Sequence, residues 1–468
     1  MINHNDSFSS SRLYESLAML GERDDDLFTL DTNATRAADG SVHLQLTQLD
    51  GLRQRLVGRP EDDWWQLLDR CSDATPEGEA LTETVSAGIG AISLTREAVY
   101  QQTTNRPSAE RIMVHERDRY GHLYSDELFT TALIRKRDQM IAVNLDNAPQ
   151  AAAVRDQLVA MFESVIANGP DVELYDGPRP ETLRDVRQWF GNHERYKGAL
   201  EYITDDKEEY GPAEIRDVCA YAIENDPLLA RLGWRCEPIE RQTSAMTVFS
   251  ARRLAVVPNN HRSLDAQCLR GILAHEIFNH VGRSANAEAA GFQLGRTGTT
   301  SYMGFEESFG IALEQCFEGE YEPFIGTILY VSVGLGMQAM GSTLNLSEVV
   351  DSIKAQHHIT MACGQERDLT EEELAQAEQA SLAIVGRICQ GMHTDARGAV
   401  HMRDLTYFSN SETTWRLLDW ISQNDCVDAA MTWLLSGKFN PFSATDRAVM
   451  GSYAQPPKAL EEYLSSLE

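Results

Sequence analysis

Basic residues are scarce relative to acidic ones in this chain of 468 residues. It has 41 lysines and arginines against 71 aspartates and glutamates, and its formal net charge is −30. A nucleic-acid-binding surface needs a basic face that replaces the counterions of the phosphates, and an anionic membrane surface also attracts basic segments. The composition therefore argues against nucleic acids, membranes and strongly acidic peptides as partners. A neutral or basic partner fits better, although such a charge can also serve solubility alone.

Paired cysteines and a secretory signal are also lacking. The eight cysteines are scattered and form no CxxC pair, so we expect reduced and mostly buried thiols, which are typical of cytoplasmic proteins. The first residues contain neither a basic region nor an apolar stretch of the signal-peptide type. The sequence thus predicts a cytoplasmic protein.

One uncharged stretch, Pro323 to Ser347, is long enough to resemble a membrane span. Its apolar part, Phe324 to Met340, is interrupted by glycines, a serine, a threonine and a glutamine. Small residues of this kind allow helices to approach one another closely. We therefore expect a buried core helix here and no membrane helix.

The residue patterns divide the chain into three predicted parts and favour an α+β fold that is mainly helical. Residues 1–105 are expected to form an accessory domain of unknown role, or a structural cap over the rest of the chain. Residues 106–180 are expected to form a small α/β segment, and residues 181–468 a helical domain. This length suits two or three domains.

A few segments have the composition of strands. Arg111 to His115 and Met140 to Asn144 alternate like strands, whereas Ala151 to Ala167 has helical periodicity. A further strand is predicted at Leu254 to Val257, which would belong to a small sheet beside the helix that carries the metal motif. Because an edge strand can align a peptide by main-chain pairing, this strand is the candidate for that role.

The most informative motif is His275-Glu276-Ile277-Phe278-Asn279-His280, which has the pattern HExxxH. In a regular α-helix, residues five positions apart point about 140° away from each other, so the two imidazoles cannot bind one ion. They converge only if the turn is widened, as in a π-turn, a distortion that occurs mostly at functional sites. Either the motif is accidental or the helix is distorted for a metal. The apolar neighbours favour the second explanation, because unpaired ionisable groups are costly beside a buried surface.

A third ligand is needed, because a catalytic zinc site has three protein ligands and an open position for water. The next acidic pair on a predicted helix is Glu306 and Glu307. Glu307 is the predicted ligand, and Glu306 is the alternative. Both acids would also suit the solvated start of a helix, where the helix dipole favours negative charge.

These residues resemble the zinc tyrosine/phenylalanine carboxypeptidase family, which is marked by HExxxH. Arg283 and Asn286 follow the motif at the spacing usual in the family. The QEGLA element of the family falls on residues 306–310, where Glu307 takes the ligand position and the other four residues differ. Weaker similarity to the YG-P, RG and KD-Y elements is found at Tyr210–Pro212, Arg387–Gly391 and Arg403–Tyr407, with Arg403 where lysine is usual.

The resemblance spans about residues 190–410. It implies a zincin-like core with Zn2+ held by His275, His280 and Glu307. It also implies that the helical domain of residues 181–468 is a metallopeptidase, which is expected to remove a C-terminal aromatic residue from a peptide or protein. Glu276 is then expected to activate the zinc-bound water as a general base.

A carboxypeptidase must also hold the terminal carboxylate of its substrate. Arginine suits this task through its two-pronged donor geometry, and the candidates are Arg283, Arg387 and Arg403. Tyr407, or else His401, is expected to stabilise the oxyanion. Two other functions stay open: a zinc endopeptidase or amidohydrolase with the same metal core, and a non-catalytic binding protein with a degenerate site.

Overall fold

The computed structural model describes residues 20, 32–46, 49–71, 76–104, 113, 116–117, 120–240, 245–389, 398 and 400–467. Helices predominate in these residues and two small sheets accompany them, which confirms the expectation of a mainly helical α+β fold. The α-helices, in chain order, are Leu49–Val57, Glu61–Cys71, Pro76–Thr104, Asp126–Ala142, Pro149–Ile166, Pro180–Asn192, Glu194–Glu201, Pro212–Glu224, Pro227–Leu232, Ala266–Leu273, Gly282–Ala289, Gln293–Thr297, Tyr302–Glu318, Thr327–Gly336, Leu346–Gln365, Glu371–Ile388, Thr406–Ser409, Ser411–Gln423, Val427–Leu434, Ala444–Met450 and Lys458–Ser465. Short 3-10 helices lie at Gly121–Leu123, Ser250–Arg252, Ala339–Gly341 and Arg403–Leu405.

The first sheet is an antiparallel pair, β1 (Thr32–Arg36) with β2 (Val42–Leu46). The second has three strands in the order β3 (Arg235–Ile239), β5 (Leu254–Pro258) and β4 (Thr247–Phe249). β5 pairs in parallel with β3 and antiparallel with β4, and every residue of β5 is buried.

The strand predicted at Leu254 to Val257 is confirmed as β5, but its role as a substrate-aligning edge is wrong. β5 is the central strand, so its main-chain groups already pair on both sides. The edge strand that lies against the segment Ala274–Val281 is β4. Burial on both faces gives β5 its continuous apolar sequence, a pattern that does not distinguish edge from centre.

The strand predicted at Met140 to Asn144 is also wrong. Met140 belongs to the helix Asp126–Ala142, which starts with the Ser125 side chain accepting a hydrogen bond from Leu128 N. This helix packs against Thr327–Gly336, and that packing overrides the local strand propensity. The predicted helix at residues 151–167 is confirmed as Pro149–Ile166. The strand predicted at Arg111 to His115 lies outside the described residues, except for Met113.

The uncharged stretch forms the predicted core helix, Thr327–Gly336, and seven of its ten residues are buried. Gly334 lies directly against the Phe129 ring, where an added Cβ would come within 2.3 Å of a ring carbon. Its lack of a side chain therefore permits the close packing of the two helices. Among the described helices, none combines the length and the apolar character that crossing a membrane requires.

One buried apolar cluster runs through the described part of the chain. It includes Leu81 and Val85 from the predicted accessory region and Leu417 and Leu464 from the C-terminal part. Arg36 in β1 is also paired with Asp351, at 2.8 Å. The division at residue 105 stays a prediction, and the packing is continuous across it.

Two helical elements that cross closely carry the predicted site. The first, called the metal helix, runs continuously through Ala266–Leu273, Ala274–Val281 and Gly282–Ala289. The second, called the glutamate helix, is Tyr302–Glu318. At their crossing, a Cβ on Gly271 would lie 3.1 Å from the Cα of Glu314, so glycine allows the two backbones to approach.

Candidate metal centre

The middle of the metal helix is a π-helix, Ala274–Val281, which confirms the widened turn expected from the HExxxH spacing. With about 4.4 residues per turn, a step of five positions rotates a side chain by about 50° net, compared with about 140° in a regular α-helix. His275 and His280 therefore lie on the same face, with ring centroids 4.8 Å apart. Both side chains are buried.

Glu307 on the glutamate helix completes a group of three potential ligands. One ligand atom each from His275, His280 and Glu307 lies within 4.8 Å of the others. His275 Nε2 is 3.9 Å from Glu307 Oε2. The geometry thus favours Glu307 over Glu306 as the third ligand.

The Nδ1 atom of each histidine is bonded to a further carboxylate, one that is not among the three potential ligands. His280 Nδ1 donates a hydrogen bond to Glu306 Oε1 at 2.8 Å, and His275 Nδ1 is bonded to Glu314 Oε1. With Nδ1 occupied in this way, the Nε2 of each ring is the nitrogen available to an ion. The sequence alone had not indicated this role for Glu306 and Glu314. A signal did exist for Glu314, since it follows Glu307 by two helical turns and so lies on the same face.

The charges around His275 favour a cation. Burial lowers the pKa of His275, but Glu314, Glu276 and Glu307 outweigh burial and raise this pKa to about 10. The carboxylates that hold a proton so tightly on the imidazole would also attract a metal ion. The donor set, two imidazoles and one carboxylate, is one that catalytic zinc sites use.

Arg283, predicted to bind substrate, is instead fully buried behind the centre. Its guanidinium contacts Glu306 and donates to Gly437 O at 2.7 Å and to Phe439 O at 2.8 Å. Lys438 Nζ lies 3.1 Å from Glu306 Oε1. A side chain with no exposed surface cannot meet a substrate, so this placement corrects the prediction for Arg283.

Arg387 and Arg403 differ in whether their guanidinium groups are already paired with a carboxylate. Arg387 forms a two-pronged pair with Asp404 and lies over the Tyr407 ring, 5.3 Å from its centroid. Arg403 is partly exposed, and in the described part of the chain its guanidinium forms no hydrogen bond or ion pair. Burial lowers the pKa of Arg403, yet Tyr120 and Asp404, followed by Tyr407 and Glu307, raise it overall. Unlike Arg387, Arg403 thus has no carboxylate paired with its guanidinium among the described residues.

Tyr407 keeps its phenol proton at neutral pH. Burial and the charge of Glu307 raise the pKa of Tyr407 to about 12, and the side chain is partly exposed. His401, the alternative, has a buried partner of its own, because its Nδ1 is 2.9 Å from Glu116 Oε1. The arrangement favours Tyr407 as the hydrogen-bond donor near the centre.

Glu276 differs from the other acids of the centre because its carboxylate is not paired with any of the described residues. It is partly exposed, and it has no hydrogen bond or ion pair with any residue that the structure describes. Its charge nevertheless acts on His275, next to it in the chain. A carboxylate that is close to the centre and unpaired can accept and release protons.

Comparison of the chain with models of protein families, with curated proteins and with solved structures found no match. The functional argument therefore depends on the geometry of the centre.

Proposed function

We propose that this protein is a cytoplasmic, zinc-dependent metallocarboxypeptidase with a zincin-like core. It would remove a C-terminal, preferably aromatic, residue from a neutral or basic peptide or protein. The observation that carries the proposal is the convergence of His275, His280 and Glu307 around one point, next to Glu276, which has no partner in the described part of the chain.

Three donors of this kind suit a catalytic ion better than a structural one, because structural zinc sites use four protein ligands and rely on cysteine. The two Nε2 atoms and the Glu307 carboxylate would hold the zinc. When bound, zinc supplies a Lewis acid that polarises the scissile carbonyl and favours ionisation of water near pH 7.

Glu276 would serve as the general base and then as the general acid. It accepts a proton from the attacking water and passes that proton to the leaving amine. Proton transfer by a positioned side chain contributes roughly 10²- to 10⁴-fold to the rate. Glu276 is suited to this role because it has no partner among the described residues that would have to be displaced.

Arg403 and Tyr407 would give the reaction its exopeptidase character. The guanidinium of Arg403 can bind a terminal carboxylate through two parallel hydrogen bonds. The Tyr407 phenol can donate a hydrogen bond to the oxygen that becomes negatively charged as the carbonyl is attacked. This assignment leaves Arg387 to orient Tyr407 and Asp404.

The deciding experiment compares the wild type with Glu276→Gln on matched peptides that end in a free or an amidated aromatic residue. The wild type should contain one zinc and release the last residue only from the free peptide. Glu276→Gln should retain zinc and lose about 10²- to 10⁴-fold in rate. As the control, Glu320→Gln changes an exposed acid and should behave as the wild type.

The other outcomes separate the alternatives. Equal cleavage of the free and amidated peptides would indicate an endopeptidase or amidohydrolase. Folded wild-type protein without zinc affinity would indicate a non-catalytic protein. Full activity of Glu276→Gln would remove Glu276 from the mechanism.

A further inference from the structure

The adjacent acids Glu306 and Glu307 face different surroundings. Successive residues of a helix point about 100° apart, so the two carboxylates cannot share one role. Glu307 belongs to the three-ligand cluster with His275 and His280, and its side chain is 24% exposed, whereas the side chain of Glu306 is 2% exposed. Glu306 therefore acts within the protein, on the side of His280 that faces away from the ligands.

The contact of Glu306 with His280 fixes the direction of that ring. His280 Nδ1 donates to Glu306 Oε1 at 2.8 Å, which leaves Nε2 to face Glu307 and His275. Partners of this kind orient ligating histidines, and removing them typically costs 10- to 100-fold in metal affinity or activity.

The carboxylate of Glu306 contacts two buried cations. Arg283 is bonded to Glu306 Oε2, and Lys438 Nζ lies 3.1 Å from Oε1. The side chains of all three residues are at most 6% exposed. By contrast, no lysine or arginine among the described residues pairs with Glu314, which supports His275 and is 23% exposed. The carboxylate that is bonded to His280 is thus buried between cations, whereas the carboxylate that is bonded to His275 is partly exposed.

We propose that Glu306 is a positioning residue for His280, and that Arg283 and Lys438 hold its carboxylate against the imidazole and away from the ion. The inference depends on the proposed zinc centre and extends it by dividing the work of the two adjacent glutamates. Glu307 binds the ion, while Glu306 orients one of its ligands.

A purely structural role for Glu306 gives a different expectation. In that case the carboxylate would only tie the segment Gly437–Phe439 to the metal helix through Arg283 and Lys438. Any loss of metal affinity would then follow from loss of stability. A variant in which the net charge of the cluster is restored would regain stability and metal affinity together. A positioning role predicts that the metal affinity stays low when stability has returned.

The test uses full-length protein and measures zinc affinity by competition with a chromophoric chelator, the absorption spectrum of bound cobalt(II), and thermal unfolding. Glu306→Gln alone leaves two buried cations without their counter-charge, which is costly. The double variant Glu306→Gln/Lys438→Met restores the original net charge of the cluster. Glu306→Asp is a second variant, which keeps the charge but withdraws the carboxylate from His280.

Both the double variant and Glu306→Asp should bind zinc at least about 10-fold more weakly than the wild type, with an altered cobalt spectrum. Lys438→Met retains the Glu306–His280 bond and the Arg283–Glu306 pair, so it should weaken zinc binding less than the double variant does. As the matched control, Glu116→Gln disturbs another buried carboxylate–histidine pair, Glu116 with His401. It should reduce stability and leave zinc affinity unchanged.

Wild-type zinc affinity in the folded double variant and in Glu306→Asp would overturn the positioning role. Equal weakening of zinc binding by Glu116→Gln would also overturn it, because the effect would then be a general loss of stability. A folded wild type that binds no zinc would instead refute the proposed function, so the two failures are distinguishable.

Discussion

Deletion of Asn279 tests whether the π-turn directs the two histidines toward one ion. The deletion converts HExxxH to HExxH and removes the extra residue that the widened turn accommodates. In a regular α-helix, positions four apart differ by about 40°, close to the roughly 50° that five positions give in the π-turn. We therefore expect the deletion variant to relax to an α-helix and still bind one zinc.

The expected change in stability is small, because two effects of Asn279 oppose each other. Its Nδ2 donates to Glu306 O at 3.0 Å, and losing such a bond costs about 1 kcal/mol. Its Oδ1 is buried without a partner in the described part of the chain, and burying an unpaired acceptor costs about 1–3 kcal/mol. The free energy of unfolding should therefore change by no more than about 2 kcal/mol.

The assay measures the zinc content after purification without chelators, together with urea unfolding. The matched variant inserts one alanine after Phe278 and separates the histidines by six positions. Six positions differ by about 240° in an α-helix and about 130° in a π-helix, so this variant should lose zinc. A folded deletion variant without zinc, or an insertion variant with zinc, would show that the turn does not direct the rings.

Two other substitutions address the substrate and the fold. Arg403→Met should raise the KM of peptides with a free C-terminus by roughly 10- to 100-fold, since a charge-assisted hydrogen bond contributes about 1.5–3 kcal/mol. The zinc content of this variant should not change. An equal effect on amidated peptides would contradict the role of Arg403. Burial lowers the pKa of Lys136 to about 8, although Glu322 opposes the shift. Because the unfolded chain then binds this proton more tightly, stability should rise with pH between about 8 and 10.5. Lys136→Met should remove this rise in stability with pH and stabilise the protein at pH 7 by about 1–3 kcal/mol. Urea unfolding at pH 7 and pH 9.5 that shows neither effect would contradict the prediction.

The sequence was sufficient to predict the distortion at the centre. No regular helix brings His275 and His280 onto one face, so their spacing alone demands a wider turn if they share an ion. The sequence was not sufficient to choose between Glu306 and Glu307 as the third ligand. This choice depends on how the glutamate helix is rotated against the metal helix, and this rotation is set by tertiary packing at Gly271 and Glu314.

Long-range contacts account for the predictions that failed. Arg283 is buried by carbonyl groups of Gly437 and Phe439, about 155 positions away in the chain, and no local pattern reveals such a contact. The strand predicted at Met140 to Asn144 failed because packing against Thr327–Gly336 determines that segment. The edge strand was misassigned because apolar composition reports burial, whereas strand order depends on pairing.

Gly310 stands where the QEGLA element has alanine, and the position of the His275 ring accounts for this difference. A Cβ on Gly310 would lie 2.3 Å from His275 Cδ2 and 2.4 Å from Nε2, so the imidazole occupies the space that a methyl group would take. In Gly310→Ala the ring must turn, which moves Nε2 relative to Glu307 or breaks the bond of Nδ1 to Glu314.

We therefore expect Gly310→Ala to bind zinc at least about 10-fold more weakly, although alanine favours a helix by about 1 kcal/mol over glycine. The control is Gly90→Ala, in the helix Pro76–Thr104, where an added Cβ meets no atom within 4 Å; it should gain stability and keep its zinc affinity. Chelator competition that gives Gly310→Ala the affinity of the wild type would mean that the ring can adapt. If the affinity falls, the glycine is part of the design of the centre, because the imidazole and the glutamate helix approach each other more closely than an alanine permits.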